Sequence, residues 1–147
     1  MWIWGKASVS ISAAPEAVWE WLVDAEKQRR WLGDTVEWLP ADRSELRVGY
    51  RGREIMQTPG KPTECDIELT VYDPPRELAS DHSHEWFTAR SRFEVSGAGA
   101  GSQVTSSIRI RYRKLGVWLQ VLPAAPFYSR AVKGSLIQLK GLIEGGT

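Results

Sequence analysis

Between residues 35 and 114 the chain is written in twos, and that period constrains its fold more than any other feature. In the stretch 104–113 one parity carries Val104, Ser106, Ile108, Ile110 and Tyr112, and the other Thr105, Ser107, Arg109, Arg111 and Arg113. Successive strand side chains point to opposite faces, so this stretch reads as a strand with one dry and one wet side. The same alternation runs through Phe87, Ala89, Ser91, Phe93 and Val95, through Leu78, Ser80, His82 and His84, and through Cys65, Ile67, Leu69 and Val71. Val36 with Trp38, and Leu46 with Val48 and Tyr50, read as further short strands. Asp73-Pro74-Pro75-Arg76 is a turn, because tandem prolines cannot serve a ladder, and Gly97-Ala-Gly-Ala-Gly101 is another. Consecutive strands joined by short turns make an antiparallel meander.

The two ends add what covers it. Residues 3–12 alternate, with Ile3, Ala7, Val9 and Ile11 against Lys6, Ser8, Ser10 and Ser12. Pro15 then opens a helix at the position where its missing N–H costs nothing, and Val18, Trp21, Leu22 and Ala25 give that helix one apolar face. A second short helix carries Trp31 and Leu32 and ends at Gly33. Near the C-terminus Val132, Leu136, Leu139 and Ile143 step by four, three and four, the stripe of a long buried helix over 126–144. Such a helix is roughly 28 Å long at ~1.5 Å per residue. Pro123 and Pro126 set residues 117–125 apart as a turn or kink. A sheet of six or seven strands must cover its apolar face, and this helix is the longest apolar stripe available. Inward-facing Ser80, His82, Ser91 and Ser106 fill the space between sheet and helix poorly, which predicts a cavity.

Composition narrows the class. At 147 residues the chain is expected to be one domain, 1–147, and its 42% hydrophobic content is globular. No apolar run approaches the ~20 residues of a membrane-spanning helix, and residues 1–6 lack the pattern of a signal peptide. One cysteine, Cys65, excludes an internal disulfide and a multi-thiolate zinc site, so a cytoplasmic location is expected. The net charge is +1, yet residues 104–147 hold seven basic residues against Glu144 alone. The arginines of 109–113 share one parity, as a solvated face should, and no aromatic platform accompanies them, so no nucleic-acid partner is expected.

Several pieces occur in order along nearly the whole chain: Val9-Ser-Ile11, Ala14-Pro-Glu-Ala-Val-Trp19, Asp24 before Trp31, Asp73-Pro-Pro-Arg-Glu-Leu78, the glycine turn into Ser102-Gln-Val104, and Leu139-Lys-Gly-Leu-Ile-Glu144. As a set they resemble the START-like (SRPBCC) superfamily, most closely its polyketide cyclase/dehydrase branch. The resemblance implies an α+β helix-grip fold, a curved antiparallel sheet wrapped around a long C-terminal helix, with two short helices after the first strand. It also implies a lipid, isoprenoid or aromatic polyketide-like ligand. The chain departs from the common pattern at Pro123-Ala-Ala-Pro126, just before the long helix.

Candidate chemistry is sparse. Asp81-His82-Ser83-His84 holds an H-x-H pair, but zinc needs a third and usually a fourth ligand, for which Cys65 or Glu85 would have to serve. The spacing does not demand it; a hydrogen-bonded His82 and a rim-exposed His84 is the reading adopted, with no metal and no cofactor expected. Cys65 on an inward face reads as a small buried hydrophobe. His82 is the one candidate general acid/base, without a nameable partner, and Tyr50, Tyr112 and Tyr128 are candidate donors to carbonyl oxygens. No Ser-His-Asp pattern or phosphate loop is present.

These observations lead to binding of a hydrophobic small molecule in an apolar cavity of ~300–1,000 Å³. Expected lining residues are Tyr50, Cys65, His82, Ser91, Ser106 and Tyr128, with Trp118 and Phe127 facing the ligand or its entrance from a lid over 117–127. A dimer or membrane-touching patch at 117–127 is the alternative. The rival functions are a polyketide cyclase/dehydratase using His82 and an interaction module without a ligand. Trp2 and Trp4 share the outward parity and are expected beside Arg111 and Arg113, or in a homodimer contact.

Overall fold

Strands β1 (Ile3–Ile11), β2 (Arg51–Thr58), β3 (Lys61–Asp73), β4 (Glu77–His84), β5 (Phe87–Ala98) and β6 (Gly101–Tyr112) form one antiparallel sheet in the order β1-β6-β5-β4-β3-β2. The computed structural model describes residues 2–32, 39–58 and 61–145. Helices α1 (Pro15–Val23) and α2 (Ala25–Leu32) follow β1, and α3 (Leu115–Val121) and α4 (Tyr128–Glu144) close the chain. The expected helix-grip architecture is borne out. Alternation is the reason: along β6, Ser102, Val104, Ser106, Ile110 and Tyr112 are buried, while Gln103 and Arg111 are exposed. A two-residue turn at Gly99-Ala100 joins β5 to β6, and its reversal needs Gly99 at φ 63°.

The first strand returns to pair with the last, Ile3 opposite Ile110 and Ile11 opposite Ser102, which leaves the outer edge of β1 exposed to wrong partners. Helix α4 covers that edge with its own side chains. The Lys133 ammonium donates to the Ser8 carbonyl, the Lys140 ammonium to the Ser10 carbonyl at 2.6 Å, and the Ser12 N–H to Glu144 at 2.8 Å. The Lys6 N–H donates to the Ser129 hydroxyl at 3.1 Å. Edge groups that would otherwise wait for water or a second chain are thus paired within the molecule. Gly5 makes the approach possible, because a Cβ there would stand 3.0 Å from the Tyr128 carbonyl carbon and oxygen.

The apolar interior falls into two clusters. The larger gathers Val18, Trp19, Leu22, Val23 and Trp31 of α1 and α2 with Leu69, Leu78, Val104, Leu136 and Leu139. The smaller lies at the other end of the sheet, where Ile3, Phe87, Ile110, Tyr112 and Val121 pack with Trp86 and Trp118.

Some local expectations change. Leu46, Val48 and Tyr50 are not a strand: the Asp42 carboxylate caps a 3-10 turn at Arg43–Glu45 by accepting from the Ser44 N–H at 2.9 Å, and Gly49 at φ 92° swings the chain into β2. Leu46 is buried but Val48, two residues on, is exposed, so the apolar spacing of two does not mark one buried strand face. The long helix begins at Tyr128 rather than 126, because Leu122–Phe127 with its two prolines forms a 3-10 segment. The buried face of α1 is Val18, Trp19, Leu22 and Val23, with Trp21 only half-buried. Gly33, Val36 and Trp38 lie outside the described residues.

Candidate functional site

Between the two clusters the concave face of the sheet carries small and polar residues, and α4 spans over them without filling the gap. The result is a cavity of about 370 Å³. Trp31 and Leu32 of α2, Phe93 of β5 and Leu136 of α4 wall one side, and Phe87, Ile110, Tyr112 and Tyr128 the other. Ser80, His82, Ser91 and Ser106 form its sheet-side floor together with Glu54. The walls are mostly apolar, with Gln28 of α2 and Ser135 of α4 as exceptions, and the floor carries a polar patch.

The patch is an ordered network. Ser80 and Ser91 face each other across β4 and β5, their hydroxyls 2.9 Å apart, and His82 Nε2 lies 3.1 Å from each. The other ring nitrogen, Nδ1, meets the carboxylate of Glu54 from β2. Both partners are almost wholly buried, at 6% exposure each. Cys65 sits directly opposite Glu54 in the β2–β3 register and is also buried. One ligand atom each from Glu54, Cys65 and His82 lie within 4.8 Å of one another. Burial, and then the Glu54 carboxylate, push the Cys65 thiol up to about 12, so it is protonated and inert as a nucleophile. At the far end of the cavity the Tyr112 and Tyr128 hydroxyls are 3.3 Å apart. Burial, reinforced by that contact, raises the Tyr112 phenol above its ordinary range.

Of the sequence-derived lining residues, His82, Ser91, Ser106 and Tyr128 border this cavity and the other four do not. Tyr50 packs against the larger cluster, on the approach to β2. Cys65 lies in the smaller cluster, on β3 between the strands that carry Glu54 and His82. Trp118 lies edge-on to Tyr112 and donates its indole N–H to the Tyr112 carbonyl at 2.6 Å, which holds it at the end of the sheet. Phe127 is exposed beneath the Arg130 guanidinium. Leu119 and Leu122 are also exposed; Val121 takes the inward position of α3.

His84 is not a second ligand beside His82. It stacks on Phe87 with Trp86 at its edge, and Glu85 is exposed in the turn. Trp2 and Trp4 meet Arg109 instead of Arg111 and Arg113, because Trp4 pairs with Arg109 in the β1–β6 register; the guanidinium lies 5.4 and 4.9 Å from the two rings. Sequence reasoning missed Glu54, Gln28 and Trp31 as lining residues. The available signal for Glu54 was its parity with Tyr50 and Gly52, opposite Cys65.

A sheet gripping a long helix around an apolar cavity with a polar floor defines a START-like ligand-binding fold. The model of the polyketide cyclase/dehydrase and lipid transport family matches residues 5–144, and the chain belongs to that family. No curated protein matches. Among solved structures, protein MLL2253 from Mesorhizobium loti is 15% identical with a TM-score of 0.68, covering 98% of both chains. Protein DR_A0006 from Deinococcus radiodurans is 16% identical with a TM-score of 0.69, again covering 98% of both. DynU16, a protein of the dynemicin biosynthetic locus, is 17% identical with a TM-score of 0.67; the match covers 99% of this chain and 48% of that one. At these identities the likeness is one of fold. Among the described residues no helix is long and apolar enough to cross a membrane.

Proposed function

We propose that this protein binds a hydrophobic small molecule carrying one oxygen-bearing end, with the apolar body between Trp31, Phe93 and Leu136 and the polar end against Ser80, His82 and Ser91. The carrying observation is the cavity itself: about 370 Å³, walled mostly by apolar side chains, with the hydrogen-bonded Ser80–His82–Ser91 network on its floor. That is the usual division of labour in small-molecule sites, where apolar surface supplies affinity and a few polar groups fix orientation. Lipid, isoprenoid and aromatic polyketide-like molecules share this chemistry.

The Glu54–His82 contact favours a second reading, proton transfer at His82 Nε2 to or from a bound poly-β-ketone, as a cyclase/dehydratase would need. A carboxylate against the opposite ring nitrogen fixes the orientation of the imidazole, with Nε2 facing the cavity floor.

Native mass spectrometry of protein purified from its own host, followed by organic extraction, tests the binding reading. One apolar compound per chain is expected. Ser106→Leu fills the floor without touching the Ser80–His82–Ser91 network and should remove the compound. An empty wild-type protein that nevertheless consumes a poly-β-ketone supports the enzyme, and an empty, inactive protein supports an interaction module.

A further inference from the structure

The Glu54–Cys65–His82 cluster contains more chemistry than an orienting carboxylate requires. Three strands that are neighbours in the sheet each contribute one inward donor: a carboxylate from β2, a thiol from β3 and an imidazole from β4. All three side chains are buried, and their donor atoms lie within 4.8 Å of each other. We propose that these residues form a site for a single zinc-class divalent cation, bound through Glu54 Oε, Cys65 Sγ and His82 Nδ1, with its fourth position open toward the cavity.

Four features of the geometry carry this. First, tetrahedral bonds of about 2.0 Å to N or O and about 2.3 Å to S set ligand atoms roughly 3.3–3.7 Å apart. The donor atoms lie within 4.8 Å of one another, so binding at that spacing requires Glu54 and His82 to move apart and any wider pair to close by at most about 1.5 Å. Second, the outer arrangement of a metal-bound histidine is already present. With Nδ1 on the cation the remaining N–H is on Nε2, and that atom has the Ser80 and Ser91 hydroxyls 3.1 Å away to receive it. Third, the donor set selects the ion. One sulfur, one nitrogen and one carboxylate oxygen suit Zn²⁺ or Co²⁺ and do not suit Mg²⁺ or Ca²⁺, which require oxygen cages. Fourth, a dication supplies the positive charge that lets the Cys65 thiol, protonated in its absence, bind as a thiolate beside the Glu54 carboxylate. Binding is balanced simply: the cation replaces the thiol proton, which leaves to solvent, and a sulfur–metal bond forms. Glu54 and His82 border the cavity whereas Cys65 lies behind them, so the open position faces the space where an oxygen atom of a bound molecule would lie.

The experiment titrates metal-stripped, full-length protein with Co²⁺. Expected is one ion per chain, with a thiolate-to-cobalt charge-transfer band in the near ultraviolet and intense visible bands of tetrahedral cobalt. The charge-transfer band should vanish in Cys65→Ser, and the His82→Gln variant should bind at least tenfold more weakly. Replacing Ser80 and Ser91 together by alanine should weaken binding ~10–100-fold, the usual cost of losing an outer hydrogen-bond partner. His84→Ala should change nothing. X-ray absorption at the zinc edge on the wild type, which needs no variant to fold, should show one sulfur at about 2.3 Å. Absence of stoichiometric Co²⁺ binding at micromolar concentration, a zinc shell without sulfur, or binding lost in His84→Ala but kept in Cys65→Ser would each overturn the site. None of these readouts involves the apolar ligand, so failure here and failure of small-molecule binding are separate results.

Discussion

Replacing glycine by alanine should have opposite signs at two positions of this molecule, and the sign is set by one contact. Gly134 lies inside α4, where an added Cβ meets nothing within 4 Å. Glycine in a helix interior costs roughly 0.5–1 kcal/mol relative to alanine, so Gly134→Ala should stabilise by about that amount. Gly5 lies in β1 under the start of α4, and its Cβ would stand 3.0 Å from the Tyr128 carbonyl carbon and oxygen and 3.2 Å from the Tyr128 Cβ. Those neighbours are mostly backbone and cannot rotate away, so α4 must lift from the sheet or β1 must bend. Overpacking of this kind costs about 1–3 kcal/mol, against which a stiffer unfolded chain returns about 0.4–1 kcal/mol. The net expectation for Gly5→Ala is a loss of about 1–2 kcal/mol. At about 2–4 °C per kcal/mol for a domain near this size, the two variants should melt on opposite sides of the wild type, separated by roughly 3–12 °C. Thermal unfolding followed by far-ultraviolet circular dichroism measures it, with urea midpoints as a check. Because the Tyr128 ring lines the cavity, Gly5→Ala should also weaken retention of an apolar ligand while Gly134→Ala leaves it unchanged. If Gly5→Ala proves as stabilising as Gly134→Ala, α4 does not begin against β1 and the cavity lacks the wall assigned to it.

Further outcomes follow from burial and charge. Leu139→Ala, at a fully buried position in the larger cluster, should cost about 2–5 kcal/mol in urea unfolding. The double change Trp2→Ala with Trp4→Ala removes guanidinium–indole contacts at the surface and should cost about 1 kcal/mol or less, with any change in self-association read by sedimentation. Tyr112 holds its proton in the folded state to a higher pH than in the unfolded chain, because burial and the Tyr128 hydroxyl disfavour the phenolate. Its contribution to stability is therefore intact below the ordinary phenol range near 10 and is lost as the pH rises above it. Urea unfolding should give a lower midpoint at pH 10.5 than at pH 8, and Tyr112→Phe should reduce that difference.

What the sequence makes legible is what alternation and helical spacing encode. The period of two in β4, β5 and β6 turns Ser80, His82, Ser91 and Ser106 toward the cavity, although Ala79, of the opposite parity, is buried as well. The Leu136–Leu139 stripe likewise identifies the helix that lies over them. Legibility fails where a different backbone imitates the pattern: Leu46, Val48 and Tyr50 alternate in type across a capped 3-10 turn and a glycine at positive φ. It fails again at Trp118, because an apolar segment shows that it must pack but not on which end of the sheet.

The most consequential failure is Glu54, and its cause is physical. Arg51-Gly-Arg-Glu-Ile at the start of β2 has no apolar alternation, and carboxylates are almost never fully buried unless paired, so a glutamate there is counted as solvated. The pairing that overrides the rule lies two strands away, at His82, and is invisible until β2, β3 and β4 are set side by side. A sheet built only to carry a core would place valine or isoleucine at the inward positions of Glu54, Ser80, His82, Ser91 and Ser106. Instead five polar side chains occupy one patch between two apolar clusters. Buried polar groups cost about 1–3 kcal/mol each when left unpaired, and a network confined to one patch limits that cost only while every member keeps its partner. The floor of the cavity is where local sequence rules and the global fold disagree most, and such disagreement is expected where a chain retains chemistry at the expense of packing.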